Sequence, residues 1–109
     1  MNYRDLDPEE VQQALQDDPT LRLLDVRTAA EFRSHRLPNS QLLPVQELAA
    51  RLHELDPHEN WLVHCEHGRR SVYACELLAQ AGFTRLTNLR GGLAYWMGCG
   101  LPLETGPRS

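Results

Sequence analysis

The stretch Trp61-Leu62-Val63-His64-Cys65-Glu66-His67-Gly68-Arg69-Arg70-Ser71 reads as a strand, a tight polar turn and the start of a helix. An apolar run ends at Cys65. Gly68 lies inside the turn, and a helical pattern begins at about Arg70 or Ser71. A strand that delivers a thiol into a turn ahead of a helix is a way to make a reactive sulfur. The loop N–H groups can converge on one point, the helix adds roughly +0.5 charge at its N-terminus, and Arg69 and Arg70 add full charges. Each of these favours a thiolate over a thiol. The alternative is a cysteine that only fills the core, but a polar, glycine-containing loop directly after it favours the reactive reading.

The segments on either side supply the rest of the fold. Before this stretch, Leu21-Arg22-Leu23-Leu24-Asp25-Val26 is apolar enough for a strand buried on both faces, and Gln41-Leu42-Leu43 is a short strand ending at Pro44. After it, Val72, Ala74, Cys75, Leu77, Leu78 and Ala81 cover most of a helix surface, which predicts a central, nearly fully buried helix stopped by Gly82. Residues 85–89 make a last strand, and Gly91-Gly92 opens a short helix carrying Leu93, Tyr95 and Trp96. Two capping boxes mark helix starts: Asp7 with Glu10, followed by Pro8, and Thr28 with Glu31. Val45, Leu48, Ala49 and Leu52 predict a further helix ending before Pro57. Strands alternate with helices, which argues for an α/β domain with a parallel sheet covered on both faces. Ligands of such sheets bind at the carboxyl ends of the strands, where Cys65 and Asp25-Val26-Arg27 both fall.

Composition sets limits on function. A chain of 109 residues makes one domain, with a core over about residues 3–103 and a loose tail over 104–109. The net charge of −4 gives no reason to expect a nucleic-acid or membrane partner. Residues 1–6 are polar, so no export signal is expected and a reducing cytoplasm is the expected setting. Cysteines at 65, 75 and 99 form no disulfide framework, and neither they nor the five histidines show metal-ligand spacing. No metal or cofactor is expected.

Four motifs, in this order, resemble the rhodanese family. They are Leu24-Asp25-Val26-Arg27 followed by Glu31-Phe32, the loop Cys65-x-x-Gly68-x-Arg70-Ser71, the run Asn88-Leu89-Arg90-Gly91-Gly92-Leu93-Ala94-Tyr95-Trp96, and Gly100-Leu101-Pro102-Leu103. The resemblance implies about five parallel strands flanked by helices. It also implies sulfurtransferase chemistry: Cys65 takes a sulfane sulfur from a donor such as thiosulfate or a persulfide, and passes it to cyanide or a thiol. A protein acceptor is a further option. One segment departs from the family. Where its members have Gly-His-Ile-Pro-Gly-Ala, this chain has His35-Arg36-Leu37-Pro38-Asn39-Ser40. Asn39 tolerates a left-handed backbone and His35 does not, so a different turn is expected at His35.

Each residue of the loop has an expected part. Cys65 is the nucleophile and sulfur carrier, and the amides of Glu66 through Ser71 are expected to face it as an anion-binding nest. Gly68 permits a backbone angle that a side chain would block. The resemblance suggests that Arg70 folds inward against a carboxylate, Asp25 or Glu31, while Arg69 faces the entrance and attracts anions or is simply solvated. Asp25 either braces the loop or caps the segment after it. Glu66 and His67 line the loop. A carboxylate at Glu66 near the mouth would repel thiosulfate and favour a protein persulfide or neutral thiol. His64 points to the other side of the strand from Cys65 and reads as a core or surface histidine. Cys75 reads as packing and Cys99 as a spectator thiol.

Two rival functions remain. Phosphatases and arsenate reductases of this fold use Cys-x5-Arg, which would require arginine at Ser71. Arg70 comes one residue early, so the loop fits sulfur better than a phosphate. A non-catalytic docking module is the other rival, and the presence of Cys65 with its loop argues against it.

Overall fold

A computed structural model describes residues 2–107. Strands β1 (Arg4–Leu6), β2 (Arg22–Asp25), β4 (Ser40–Leu42), β5 (Trp61–His64) and β6 (Leu86–Leu89) form one parallel sheet in the order β1-β6-β5-β2-β4. The helices are α1 (Pro8–Asp17), α2 (Ala29–Ser34), α3 (Val45–Leu48), α4 (Arg69–Gln80) and α5 (Gly92–Gly98). A 3-10 segment, Ala49–Glu54, extends α3. β5 is the central strand, so Cys65 leaves the middle of the sheet at its carboxyl edge.

Alternation along the strands fills two cores. Leu24, Val26, Val63 and Cys65 point to one face, where Leu48 of α3 and Ala74, Cys75 and Leu78 of α4 pack. Leu23, Leu62 and Leu89 point to the other, against Val11 of α1 and Leu93 and Trp96 of α5. Both expected capping boxes form: the Asp7 side chain accepts from Glu10 N–H and that of Thr28 from Glu31 N–H, with each glutamate reaching back to its cap.

One strand goes beyond the sequence analysis, and two expectations need correction. β1 has no counterpart in the sequence reading, because its residues are polar for an edge strand. It pairs with β6, and Asp5 adds to the ladder by accepting from Asn88 Nδ2 of β6 at 2.9 Å and from Arg90 Nε, just beyond β6, at 3.1 Å. α4 is not nearly fully buried. Ser71, Ala74, Cys75 and Leu78 are buried, while Tyr73 is 60% exposed, so the helix packs one face on the sheet and leaves the other in solvent. Residues from 104 on are not simply a loose tail. β7 (Glu104–Thr105) pairs antiparallel with β3 (His35–Arg36). The buried Arg36 donates to Glu104 Oε1 at 3.2 Å and to the Gly106 carbonyl at 2.6 Å. Residues 108–109 lie outside the described residues.

The departing turn is accommodated simply. Asn39 takes the left-handed conformation at φ 63°. His35 is extended at φ −159°, ψ 149°, a conformation any residue adopts, so no glycine is required there.

Candidate active site

The site grows out of the β5–α4 junction. Gly68 caps α4 at φ 96°, a left-handed angle that suits glycine, and turns the chain back over Cys65. The sulfur then meets the first turn of α4. Gly68 N–H donates to Cys65 Sγ at 3.1 Å and Ser71 N–H at 3.3 Å, while the thiol lies 3.3 Å from Ser71 Oγ. Two amides therefore converge on the sulfur, rather than all six of residues 66–71. Their placement suits negative charge at that point. Cys65 is 1% exposed, so a partner must enter the loop to meet it.

The other side of the loop is set by α5. Leu93 N–H donates to the Cys65 carbonyl and Ala94 N–H to the Glu66 carbonyl, both at 2.9 Å. Trans peptides are planar, so C=O and N–H point in opposite directions. Fixing these two carbonyls toward α5 aims the N–H groups of Glu66 and His67 away from it, toward the face that carries the Cys65 sulfur. This contact requires Gly92. A Cβ there would come within 2.6 Å of the Cys65 carbonyl oxygen and 2.5 Å of the Glu66 carbonyl carbon. The sequence marked Gly91-Gly92 as a helix opening and as part of a motif, without pointing to this contact.

The charged residues divide into two groups. Arg70 grips Glu31 through two hydrogen bonds, Nη1 to Oε1 at 2.7 Å and Nη2 to Oε2 at 2.9 Å. Those bonds outweigh the opposing effect of burial and draw the Glu31 carboxyl down to about 2. Asp25, the other carboxylate considered for Arg70, instead holds Arg27, with Nη2 at 2.8 Å from Oδ2 and both side chains fully buried. Burial works against ionising Asp25, but the adjoining His64 and Arg27 outweigh it and hold the carboxyl below its ordinary range. His64 is a buried histidine whose Nε2 lies 3.4 Å from Asp25 Oδ2, long for a hydrogen bond.

Glu66 does not face the mouth. Its Oε1 lies 3.0 Å from both Arg27 Nη1 and His35 Nε2. Repulsion of thiosulfate by Glu66 therefore has no structural basis. His67 and Arg69 are exposed, and Arg69 makes no ion pair among the described residues. Beside the loop lies an open cavity of about 470 Å³, lined by Val45, Ala49, Tyr73, Leu77 and the two loop arginines, among others. Cys75, buried on α4, has its thiol pushed up to about 12 by desolvation. Cys99 follows α5 and is partly exposed. No group of three or more His, Cys, Asp or Glu side chains among the described residues is arranged to hold a metal ion. No helix among them is long and apolar enough to cross a membrane.

Residues 7–99 match the family model described as Rhodanese-like domain. The chain belongs to the rhodanese-like family. A sulfurtransferase of Allochromatium vinosum is 35% identical over 99 residues, covering 91% of this chain and 92% of the relative. The thiosulfate sulfurtransferase GlpE of Glaesserella parasuis is 27% identical over 104 residues, covering 95% of each chain. Among solved structures, a rhodanese-related protein of Thermoplasma volcanium superposes with a TM-score of 0.85 at 28% identity, covering 94% of this chain and 98% of that one. The five-stranded parallel sheet with helices around it is thus the rhodanese-like fold.

Within this rhodanese-like domain, sequence reasoning missed two site residues, Arg27 and His35. The sequence placed Arg27 at the ligand edge of the sheet and within a motif, but gave it no role of its own. Its full burial follows from three acceptors, Asp25, Glu66 and the His35 carbonyl, that come together through the fold.

Proposed function

We propose that this rhodanese-like domain is a sulfurtransferase that carries a sulfane sulfur as a persulfide on Cys65. Relatives named as sulfurtransferases match over nearly the whole chain. The observation that carries the reading is the convergence of Gly68 and Ser71 amides on Cys65 Sγ.

The reaction is two displacements at sulfur. The Cys65 thiolate attacks the outer sulfur of thiosulfate, a new S–S bond forms, and the S–S bond of the donor breaks with its electron pair leaving as sulfite. The product is a Cys65 persulfide anion. An acceptor, cyanide or a thiolate, then attacks the outer sulfur, leaving as thiocyanate or a new persulfide and returning the Cys65 thiolate. Charge balances in each step and no external oxidant is needed. The loop amides and the N-terminus of α4 supply fixed dipoles for an anion that shifts outward by one sulfur. The buried position of Cys65 restricts the donor to one whose transferable sulfur is terminal and unbranched, as in thiosulfate or a persulfide. Arg69 at the rim attracts such anions. A thiol on a partner protein is served by the same chemistry.

The test is intact mass after incubation with thiosulfate, comparing the wild type with Cys65→Ser. A gain of about 32 Da on the wild type alone is expected. Equal gain on both proteins, or phosphate-ester hydrolysis without sulfur uptake, would reject the reading.

A further inference from the structure

The loop after Cys65 is tied, on the opposite face of the sheet, to a buried cluster of charge that sulfur transfer does not itself consume. Arg27 Nε donates to Asp25 Oδ1 at 3.0 Å and Oδ2 at 3.1 Å. Nη2 donates to Asp25 Oδ2 at 2.8 Å and to the His35 carbonyl. Nη1 donates to Glu66 Oε1 at 3.0 Å. The His35 ring completes the grip. Its Nε2 lies 3.0 Å from Glu66 Oε1 and 3.3 Å from Arg27 Nη1, and its Nδ1 lies 3.2 Å from Ser34 Oγ. The Arg27 side chain is fully buried and that of Glu66 is 17% exposed. The Glu66 main chain is fixed as well, since its carbonyl accepts from Ala94 N–H.

We propose that Glu66 is a positioning residue for sulfur transfer: its carboxylate, held by Arg27 and His35, locks the first peptide of the Cys65 loop in the orientation that aims the following amides toward the sulfur. This inference rests on the sulfurtransferase reading and adds a residue to it. The physical reason is preorganisation. Amides stabilise a persulfide anion only if they need not rotate when it forms. A neutral amide oxygen at residue 66 keeps the shape and still accepts from the guanidinium, but it loses the ion pairing between the carboxylate and Arg27. Drawing the carboxylate inward has a second effect. It leaves the exposed loop positions to Arg69 and His67, so the mouth favours an anionic donor.

The decisive comparison is steady-state transfer from thiosulfate to cyanide by the wild type and Glu66→Gln, with folding checked by thermal melting. Expected is a fall in kcat of about tenfold with KM held within about twofold, the mark of an interaction made in the transition state. A kcat/KM for Glu66→Gln equal to or above that of the wild type overturns the proposal, because it identifies Glu66 as a repulsive charge or a bystander. If Glu66→Gln does not fold, the partly exposed His35 decides. His35→Ala lowers kcat about threefold and His35→Gln, which retains a donor toward Glu66, recovers it; equal kcat in all three proteins overturns the proposal. Wild-type protein that takes up no sulfur removes the sulfurtransferase reading and this inference together, whereas a sulfur-loaded wild type beside an unimpaired Glu66→Gln removes this inference alone.

Discussion

Arg70 and Glu31, 39 residues apart in the chain, meet in a two-pronged ion pair at 2.7 and 2.9 Å. Glu31 serves two structures at once. Its Oε1 also accepts from Thr28 N–H at 3.1 Å, closing the capping box of α2. The start of α2 and the arginine that ends the Cys65 loop are thus held by one carboxylate. A planar fork suits this task, since two parallel bonds fix direction as well as distance.

The pairing predicts a specific pH dependence. The Glu31 carboxyl is lowered to about 2 in the folded protein, chiefly by its bonds to Arg70, against roughly 4.3 in an unfolded chain. A lowered folded value means that the contribution is complete above the unfolded value and is lost as pH falls toward 2. Glu31→Gln should therefore cost roughly 1 kcal/mol at neutral pH, allowing for screening at a partly exposed site. Urea midpoints measured from pH 7 to pH 2 should show the gap between variant and wild type closing below about pH 4. A gap that stays constant to pH 2 would show that ionisation of Glu31 is not its source.

Gly92→Ala should damage the loop from behind. The added Cβ meets main-chain atoms of Cys65 and Glu66, which cannot swing aside as a side chain would, and the backbone angle of φ 67° is itself strained for alanine. A loss of about 2–4 kcal/mol is expected, with sulfur uptake on Cys65 falling in whatever fraction remains folded. Chemical denaturation and intact mass measure the two effects separately. Wild-type stability together with wild-type uptake would contradict the close approach of α5.

Cys75 should resist alkylation. Burial pushes its thiol up to about 12, so almost none is ionised at pH 8, and the side chain is packed under α4. In native protein, peptide mapping after iodoacetamide treatment should find Cys75 unmodified, and its labelling in denaturant should follow global unfolding. Rapid labelling of Cys75 in the native state would refute its place in the core.

Removing residues 104–109 should destabilise the domain, although they lie far from Cys65 in the chain. Truncation deprives the buried Arg36 of Glu104 and of the Gly106 carbonyl, leaving the Phe32 carbonyl at 3.0 Å and a longer contact to the Arg33 carbonyl. Loss of acceptors around a buried cation costs about 1–3 kcal/mol, which corresponds to a Tm lower by roughly 5–15 °C in a domain of this size. Calorimetry on the truncated chain checks this, and an unchanged Tm would show that the strand pair contributes nothing.

Features closed by neighbours in the chain were legible in the sequence. The capping boxes at Asp7 and Thr28 need only a glutamate three residues on. The strand alternation that sends Leu24 and Leu23 to opposite cores needs only the extended backbone. The order Cys65, Gly68, Arg70 placed a sulfur at the head of α4, and Asn39 carried its left-handed angle openly. What the tertiary structure decided depends on groups brought together from distant segments. The polar residues of β1 become a strand only beside β6. Gly92 matters because α5 meets the carbonyls of Cys65 and Glu66. The direction of Glu66, outward to solvent or inward to charge, was fixed by Arg27 and His35, 39 and 31 residues away. Hydrophobic periodicity says which face of an element is buried. It does not say which charges the fold will bring to that face, because a buried charge is stable only when its partners arrive with it.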